Sequence, residues 1–287
     1  MMRSCLVLTD LPVLFKAKSF RKESIEEIER NWDSIRIALE KTVDLLVDWG
    51  FSAETLPTLN AVIPIAYFIY KGGDVASSNG ALRQYLTRAL IKQIFASQTD
   101  RVLAAIREYL RVMLSGGSEY ELRTKQLTMK DVVEMKLPAA RSLAITSADI
   151  DDMLDEQKGP YTFMLLALLY PQLKLGQIAF HQDRLHPWSQ FASKKLAKLG
   201  LSETEIRKWQ EDRDRLPNLQ LLEGTENQSK NDSPLLTWMG TLGPSRAHYE
   251  QGNYIPSGVG LSLDDFPSFF IARKDILRAR LQGVFSE

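Results

Sequence analysis

The feature that most constrains this chain is a series of segments of helical length within its first 170 residues, some with apolar residues at three-four spacing and others almost wholly apolar. The segments are Ser24–Val47, Thr58–Tyr70, Ala81–Ala96, Asp100–Leu114 and Tyr161–Tyr170. Glycines close several of them and Pro171 closes the last, as is typical of helix ends. The spacing predicts a mainly α-helical N-terminal domain, residues 1–172, whose apolar stripes pack against one another.

Four further signals mark helix starts. Ser24 with Glu27, and Ser202 with Glu205, have the spacing of a capping box, in which a hydroxyl and a carboxylate satisfy free backbone N–H groups. Thr128-Met129-Lys130-Asp131 and Ser147-Ala148-Asp149-Ile150 are expected to begin two shorter helices.

The pattern changes after Pro171. We expect short strands at Leu173–Phe180 and Leu219–Leu222, helices at Ser189–Leu199 and near Leu235–Met239, a loop at Ser245–Gly260 and a last amphipathic helix at Leu263–Phe285. Residues 173–287 are therefore predicted to form a small α+β domain that ends in a helix.

Composition excludes several classes of protein. A hydrophobic content of 44% and a charged content of 25% are typical of a globular protein with a core. Lys+Arg and Asp+Glu are 36 each, which argues against a generally basic nucleic-acid binder but leaves local basic patches open. The single cysteine, Cys5, allows no intrachain disulfide and no cysteine-built zinc site. With no signal-peptide core and no apolar run of about 18–20 residues, we expect a soluble, cytoplasmic protein without a membrane partner.

Reactive side chains concentrate in one part of the sequence. His181 and His186 flank Asp183, Asn218 begins an apolar run, and Asn227 follows in a polar segment. This order predicts a strand–loop–strand–helix unit that holds one hard cation, Mg²⁺ or Mn²⁺, through Asp183 and Asn227. The histidines are candidate bases because the unperturbed pKa of imidazole lies near neutrality. Asn218 is expected to tie the loop through backbone hydrogen bonds. Taken alone, the histidine pair is more typical of a surface loop than of a metal site.

Residues 180–189, Phe-His-Gln-Asp-Arg-Leu-His-Pro-Trp-Ser, resemble a known nuclease signature. The signature, Phe-His-x-Asp-His-Ile-His-Pro-x-Ser, belongs to the HNH, or ββα-metal, domain of GmrSD-type restriction proteins. The similarity continues through Phe191, Lys194-Lys195, Gly200–Ser202, Arg215–Gly224 and Glu226-Asn227, and more loosely through Asn31-Trp32, Gly50-Phe51 and Pro64–Tyr67. It implies a metal-dependent DNA endonuclease of a restriction or anti-phage system, with either unmodified or modified DNA as substrate.

By this resemblance, Asp183 and Asn227 are the metal-side residues and Asn218 shapes the loop, but Arg184 stands where the family has its general-base histidine. Arginine stays protonated, so it can only bind phosphate or stabilise negative charge. Losing a general base removes roughly 10²–10⁴-fold of rate. His186 is a candidate substitute on the Arg184 face of an extended segment, with His181 on the other face. We expect weak or absent nicking that Arg184→His increases; the alternative is a catalytically inactive DNA-binding or partner-regulating remnant.

A second departure concerns the N-terminal half of the family. Neither its Asp-Gly-Gln-Gln-Arg motif nor a Gly-x-x-x-x-Gly-Lys phosphate loop occurs in this sequence. The resemblance therefore implies either the C-terminal piece of a split or decayed gene, or a separate ParB-like, nucleotide-hydrolysing subunit as partner. For a partner, we expect an exposed apolar patch near residues 1–20 to receive it. DNA contacts are expected from Lys194, Lys195 and Lys198, and from Arg273, Lys274, Arg278 and Arg280 on the last helix.

Overall fold

A computed structural model describes residues 2–14, 16, 19–52, 56–117, 119–170, 173 and 178–286. The chain forms two compact units, the first made of Met1–Ser52 with Leu56–Ile145 and the second of Thr146–Glu287. Within the described residues both units are mainly helical, and each contains one two-stranded antiparallel sheet. The predicted mainly α class is confirmed.

The first unit packs around one short apolar helix. Its elements are α1 (Met2–Leu8), α2 (Lys22–Arg30), α3 (Trp32–Asp48), α4 (Ile63–Tyr70), α5 (Val75–Ile91), α6 (Thr99–Leu110), β1 (Arg111–Met113), β2 (Tyr120–Leu122) and α7 (Met129–Glu134). Ile65, Ala66, Tyr67 and Phe68 of α4 are fully buried. Helix α4 contacts α1, α3 and α6, so it forms the centre of this unit.

The predicted helix Ser24–Val47 is two helices that meet at Asn31. The Asn31 side-chain Nδ2 donates to the carbonyl and to a carboxylate oxygen of Glu27, both at 2.8 Å. Local bonds of this kind compete with helix continuation, so α2 ends there. Because α2 begins at Lys22, with Arg21 as N-cap, the capping box predicted at Ser24 is wrong. The predicted box at Ser202 is formed, and Thr128 and Thr146 provide two further boxes that were not predicted.

The N-terminal residues pack inward. Leu6, Val7 and Leu8 are buried in contacts of α1 with α4 and α6. Among the described residues of positions 1–20, Met2 and Leu14 are the exposed large apolar side chains. The apolar patch expected there is therefore wrong for the described residues.

The second unit surrounds a small sheet. Its elements are α8 (Ser147–Asp155), α9 (Pro160–Leu169), β3 (Phe180–Arg184), α10 (Ser193–Ala197), α11 (Glu203–Asp212), β4 (Leu219–Glu223), α12 (Gly224–Lys230), α13 (Leu235–Thr241), α14 (Arg246–Gly252) and α15 (Phe266–Ser286). Strand β3 pairs antiparallel with β4, with Asp183 opposite Gln220, and α12 follows β4 directly and contacts both strands.

The unit boundary and two element boundaries differ from the prediction. Helices α8 and α9, expected in the first domain, belong to the second unit because α9 packs on β4 and α8 packs on α15. Of the predicted strand Leu173–Phe180, residues 174–177 lie outside the described residues, and the strand observed runs through the histidine motif instead. The predicted loop Ser245–Gly260 contains α14.

Among the described residues, no helix combines the length and the apolar character that crossing a bilayer requires.

Candidate functional site

The two faces of β3 carry different chemistry. Successive residues of a strand point to opposite faces of the sheet, so His181 and Asp183 share one face and Gln182 and Arg184 share the other. The first face is covered by α12, and the second faces a pocket beside α9. Asp183 and Arg184 are adjacent in sequence but act in different surroundings.

Asp183 is bonded by a buried lysine. Lys230, the last residue of α12, is fully buried, and its Nζ lies 2.8 Å from Asp183 Oδ2. The same ammonium donates to the backbone carbonyl of Arg184 at 2.7 Å. The Asp183 side chain is 15% exposed, so a carboxylate that is largely removed from water has a fixed positive charge beside it.

A chain of hydrogen bonds extends inward from Asp183. Gln220 Nε2 donates to Asp183 Oδ2 at 2.9 Å, and Tyr249 Oη donates to Gln220 Oε1 at 2.7 Å. Gln220 is fully buried and Tyr249 is nearly so. Burial and, after it, the negative charges of Glu223 and Asp183 raise the pKa of Glu226 on α12. The site is thus a buried polar network with Asp183 at its centre.

The other residues predicted on the metal side lie near this network. Asn227 is half-buried on α12, three residues before Lys230 and therefore on the same side of the helix. Since Lys230 bonds Asp183, that side faces β3. His181 is exposed, and its ring lies beside Gly224 at the start of α12. A side chain at position 224 would place its Cβ 3.7 Å from His181 Nε2. Strand and helix therefore bring His181, Asp183 and Asn227 to one side of the sheet.

The donor set fits a divalent cation poorly. Oδ2 of Asp183 already accepts bonds from Lys230 and Gln220. In the described part of the chain, no three or more His, Cys, Asp or Glu side chains are close enough to share a metal ion. Mg²⁺ and Mn²⁺ favour several oxygen ligands, and the Lys230 ammonium competes with them for the carboxylate. The predicted site does not fit the ion in this arrangement, and we assign no catalytic step to one.

Arg184 is bound on the opposite face of β3. Its Nε and Nη2 lie 2.6 Å from Asp214 Oδ1, and Arg213 Nε donates to Asp214 Oδ2 at 3.0 Å. Burial opposes ionisation of Asp214, but the hydrogen bonds from Arg213 and Arg184 outweigh it and lower the pKa of that carboxyl. A histidine at position 184 would leave the strand on this face too, away from the Asp183 carboxylate.

His186 is a core residue. It is 2% exposed, and its ring packs edge-on against Phe266 and Phe269. Burial and, second, the charge of Lys230 lower the pKa of His186 to about 3, so the imidazole is neutral near pH 7. A group without access to water or substrate cannot act as a general base, and the role of substitute base suggested for His186 is wrong.

Asn218 has the loop-tying contacts expected of it. Its Oδ1 accepts from the backbone N–H of His186 at 3.0 Å, and its Nδ2 donates to the carbonyls of His186 at 3.1 Å and Arg213 at 2.7 Å. The residue is fully buried, so one buried carboxamide bonds three backbone groups of this loop.

The basic residues predicted to contact DNA differ in exposure. Lys194, Lys195 and Lys198 are exposed around α10, while Leu196 anchors the helix in the core. No ion pair neutralises these lysines within the described residues. Trp188, just before α10, is 57% exposed.

The last helix does not provide the expected basic surface. Arg273 is fully buried and donates to the carbonyls of Pro217 at 2.6 Å and Asn253 at 3.1 Å, so its predicted DNA contact is wrong. Lys274 is only partly exposed, and its Nζ lies 2.6 Å from Asp155 on α8. Arg278 is likewise paired, with Asp151 and Asp275. Arg280 lies over the ring of Tyr254.

Sequence reasoning missed Lys230, Gln220 and Asp214. A glutamine inside the apolar run Leu219–Leu222 was a signal, because a buried amide needs a polar partner. Lys230 lies one helical turn after Asn227, so its position on the same side of the helix could also have been predicted. The pairing of Arg184 with Asp214 had no local signal.

Comparison of the sequence with protein-family models found no match, and a search of curated proteins likewise found none.

Proposed function

We propose that this protein is a nuclease-derived, DNA-binding component of a restriction or anti-phage system, in which the HNH-like ββα unit cleaves weakly or not at all. The observation that carries the proposal is the Lys230–Asp183 pair, a buried positive charge on the carboxylate that the resemblance assigns to the metal. The antiparallel pair β3–β4 followed by α12 supports a ββα unit.

DNA binding is assigned to the basic surface of α10, formed by Lys194, Lys195 and Lys198. Exposed lysines without carboxylate partners are available to phosphates, and such contacts weaken as salt is added. Trp188 adds an exposed aromatic ring beside the same helix. A ParB-like, nucleotide-hydrolysing subunit remains the proposed protein partner, and it rests on the resemblance alone.

Duplex binding in EDTA tests the assignment. We expect wild-type affinity to fall steeply between 50 and 200 mM salt, and the triple variant Lys194→Gln, Lys195→Gln, Lys198→Gln to bind more weakly with a shallower salt dependence. A matched variant replaces Lys41, Lys125 and Lys136, exposed lysines of the first unit, and should bind as wild type. Equal losses in both triple variants would reject α10 as the DNA contact.

A second candidate function is a metal-dependent DNA endonuclease with impaired cleavage. It is favoured by His181, an exposed imidazole on the Asp183 face of β3. It requires Lys230 to release Asp183 so that Asp183 and Asn227 can bind Mg²⁺ or Mn²⁺. Plasmid nicking in Mn²⁺ that both Asp183→Ala and His181→Ala abolish would favour this candidate.

A further inference from the structure

The face of β3 that carries Arg184 opens into a pocket of about 620 Å³. Its wall includes Lys158, Gly159, Phe163, Gln182, Arg184 and Asp214, all from the second unit. The volume lies within the roughly 300–1,000 Å³ typical of sites for small ligands. This pocket is on the opposite face of the sheet from the Asp183 network.

Positive charge predominates in the pocket. Asp214 is shared between Arg184 and Arg213, so these three side chains together carry a net charge of one positive unit. Lys158 adds a second cation, and within the described residues no carboxylate lies at ion-pair distance from its ammonium. Partial burial of its ammonium at the pocket wall and, second, the charge of Arg184 lower the pKa of Lys158, while the charges of Asp183 and Asp214 act in the opposite direction.

The geometry leaves donors for a ligand. Arg184 uses Nε and Nη2 on Asp214, and no acceptor in the described part of the chain bonds its Nη1. Gln182 holds Gly159 by two bonds, Gly159 N–H to Gln182 Oε1 at 3.2 Å and Gln182 Nε2 to the Gly159 carbonyl at 3.0 Å. These bonds fix the backbone next to Lys158. The backbone beside Lys158 is therefore tied to β3, and Lys158 and Arg184 both line the pocket.

We propose that this pocket binds a phosphoryl group, carried either by a nucleotide or by a nucleic-acid backbone, through Lys158 and Arg184. A guanidinium and an ammonium on a fixed frame are the usual donors to phosphate oxygens. Pro160 and Phe163 give the non-phosphate part of the ligand an apolar wall. Arg184 then has a binding role in place of the proton transfer that arginine cannot perform. The site is independent of the α10 lysines.

Pyrophosphate is the first probe, titrated calorimetrically in EDTA against the full chain. We expect binding that weakens with salt, and Lys158→Gln to bind on the order of tenfold more weakly, since a charge-assisted hydrogen bond is lost. Lys158 is exposed, so its substitution leaves the core intact. Lys136→Gln removes an exposed lysine that does not line the pocket and should bind as wild type. Arg184→Lys keeps the charge but loses the planar fork and should also weaken binding.

Two further ligands identify the source of the phosphate. Competition by a nucleoside triphosphate stronger than that by a short oligonucleotide assigns the pocket to a nucleotide, and the reverse order assigns it to a nucleic-acid backbone. Absence of binding by all three ligands, or Lys158→Gln binding pyrophosphate as tightly as Lys136→Gln, overturns the proposal. DNA binding through α10 would survive that result, so the two proposals fail separately.

Discussion

Replacing Lys230 with methionine removes the ammonium that bonds both Asp183 Oδ2 and the Arg184 carbonyl. Removing one partner of a buried ion pair costs about 3–5 kcal/mol, because the other charge stays buried. The Asp183 side chain is 15% exposed, so water reaches part of it and we expect the lower end of that range, about 3 kcal/mol. For a domain of this size that corresponds to a decrease in Tm of roughly 6–12 °C.

Urea unfolding of four proteins tests this expectation: wild type, Lys230→Met, Asp183→Asn and the double variant. The amide of asparagine carries no charge, so the double variant should recover about 2 kcal/mol relative to the sum of the single changes. Lys208→Met is the matched control; its partner is Asp212, but Lys208 itself is largely exposed, so it should cost under about 1 kcal/mol. Single costs that add within about 0.5 kcal/mol would refute the assigned pair.

Removing Lys230 should also free Asp183 for metal. We expect Mn²⁺ to raise the Tm of Lys230→Met more than that of wild type, because the ion binds the native state only after the competing ammonium has gone. Asp183→Asn in the same background should abolish the difference. An equal effect of Mn²⁺ on both proteins would contradict competition between Lys230 and a cation.

Three further predictions concern the surrounding residues. Removing the three α10 lysines should lower the slope of log affinity against log salt by up to about 3, measured by fluorescence anisotropy, if each contacts one phosphate. His186 binds a proton near pH 6.5 in the unfolded chain but only near pH 3 in the native state. The free energy of unfolding should therefore decrease as the pH falls from about 6.5 towards 3. The loss is about 1.4 kcal/mol per pH unit, and His186→Phe should remove it in urea titrations at pH 4 to 7. Asn218→Ala should cost about 2–4 kcal/mol by removing its hydrogen bonds to three backbone groups, with a decrease in urea midpoint as the readout.

The helical content followed from spacing, but the breaks within it did not. Three-four periodicity locates α6, and continuous apolar runs locate α4 and α9, because α6 buries a stripe whereas the other two bury nearly a whole segment. It cannot locate the break at Asn31, since the apolar pattern continues across that residue while its side chain bonds Glu27. The hairpin β1–β2 was also not predicted, because Arg111–Met113 continues the apolar pattern of α6.

For the site, local patterns predicted neighbours but not pairings. Strand alternation correctly set His181 on the face opposite Arg184. The contacts of Asn218 were predictable because asparagine before a strand commonly binds nearby backbone. The burial of Arg273 was not predictable, because its partners Asn253 and Pro217 lie 20 and 56 residues away in the sequence. A basic residue on an amphipathic helix is usually exposed.

Plasmid nicking in Mn²⁺ by wild type and Asp183→Ala, with duplex binding measured in EDTA on the same preparations, tests most directly whether Lys230 takes the place of the metal. We expect both proteins to bind DNA and the wild type to nick no faster than Asp183→Ala. Nicking by the wild type that requires Mn²⁺ and disappears in Asp183→Ala would contradict that conclusion.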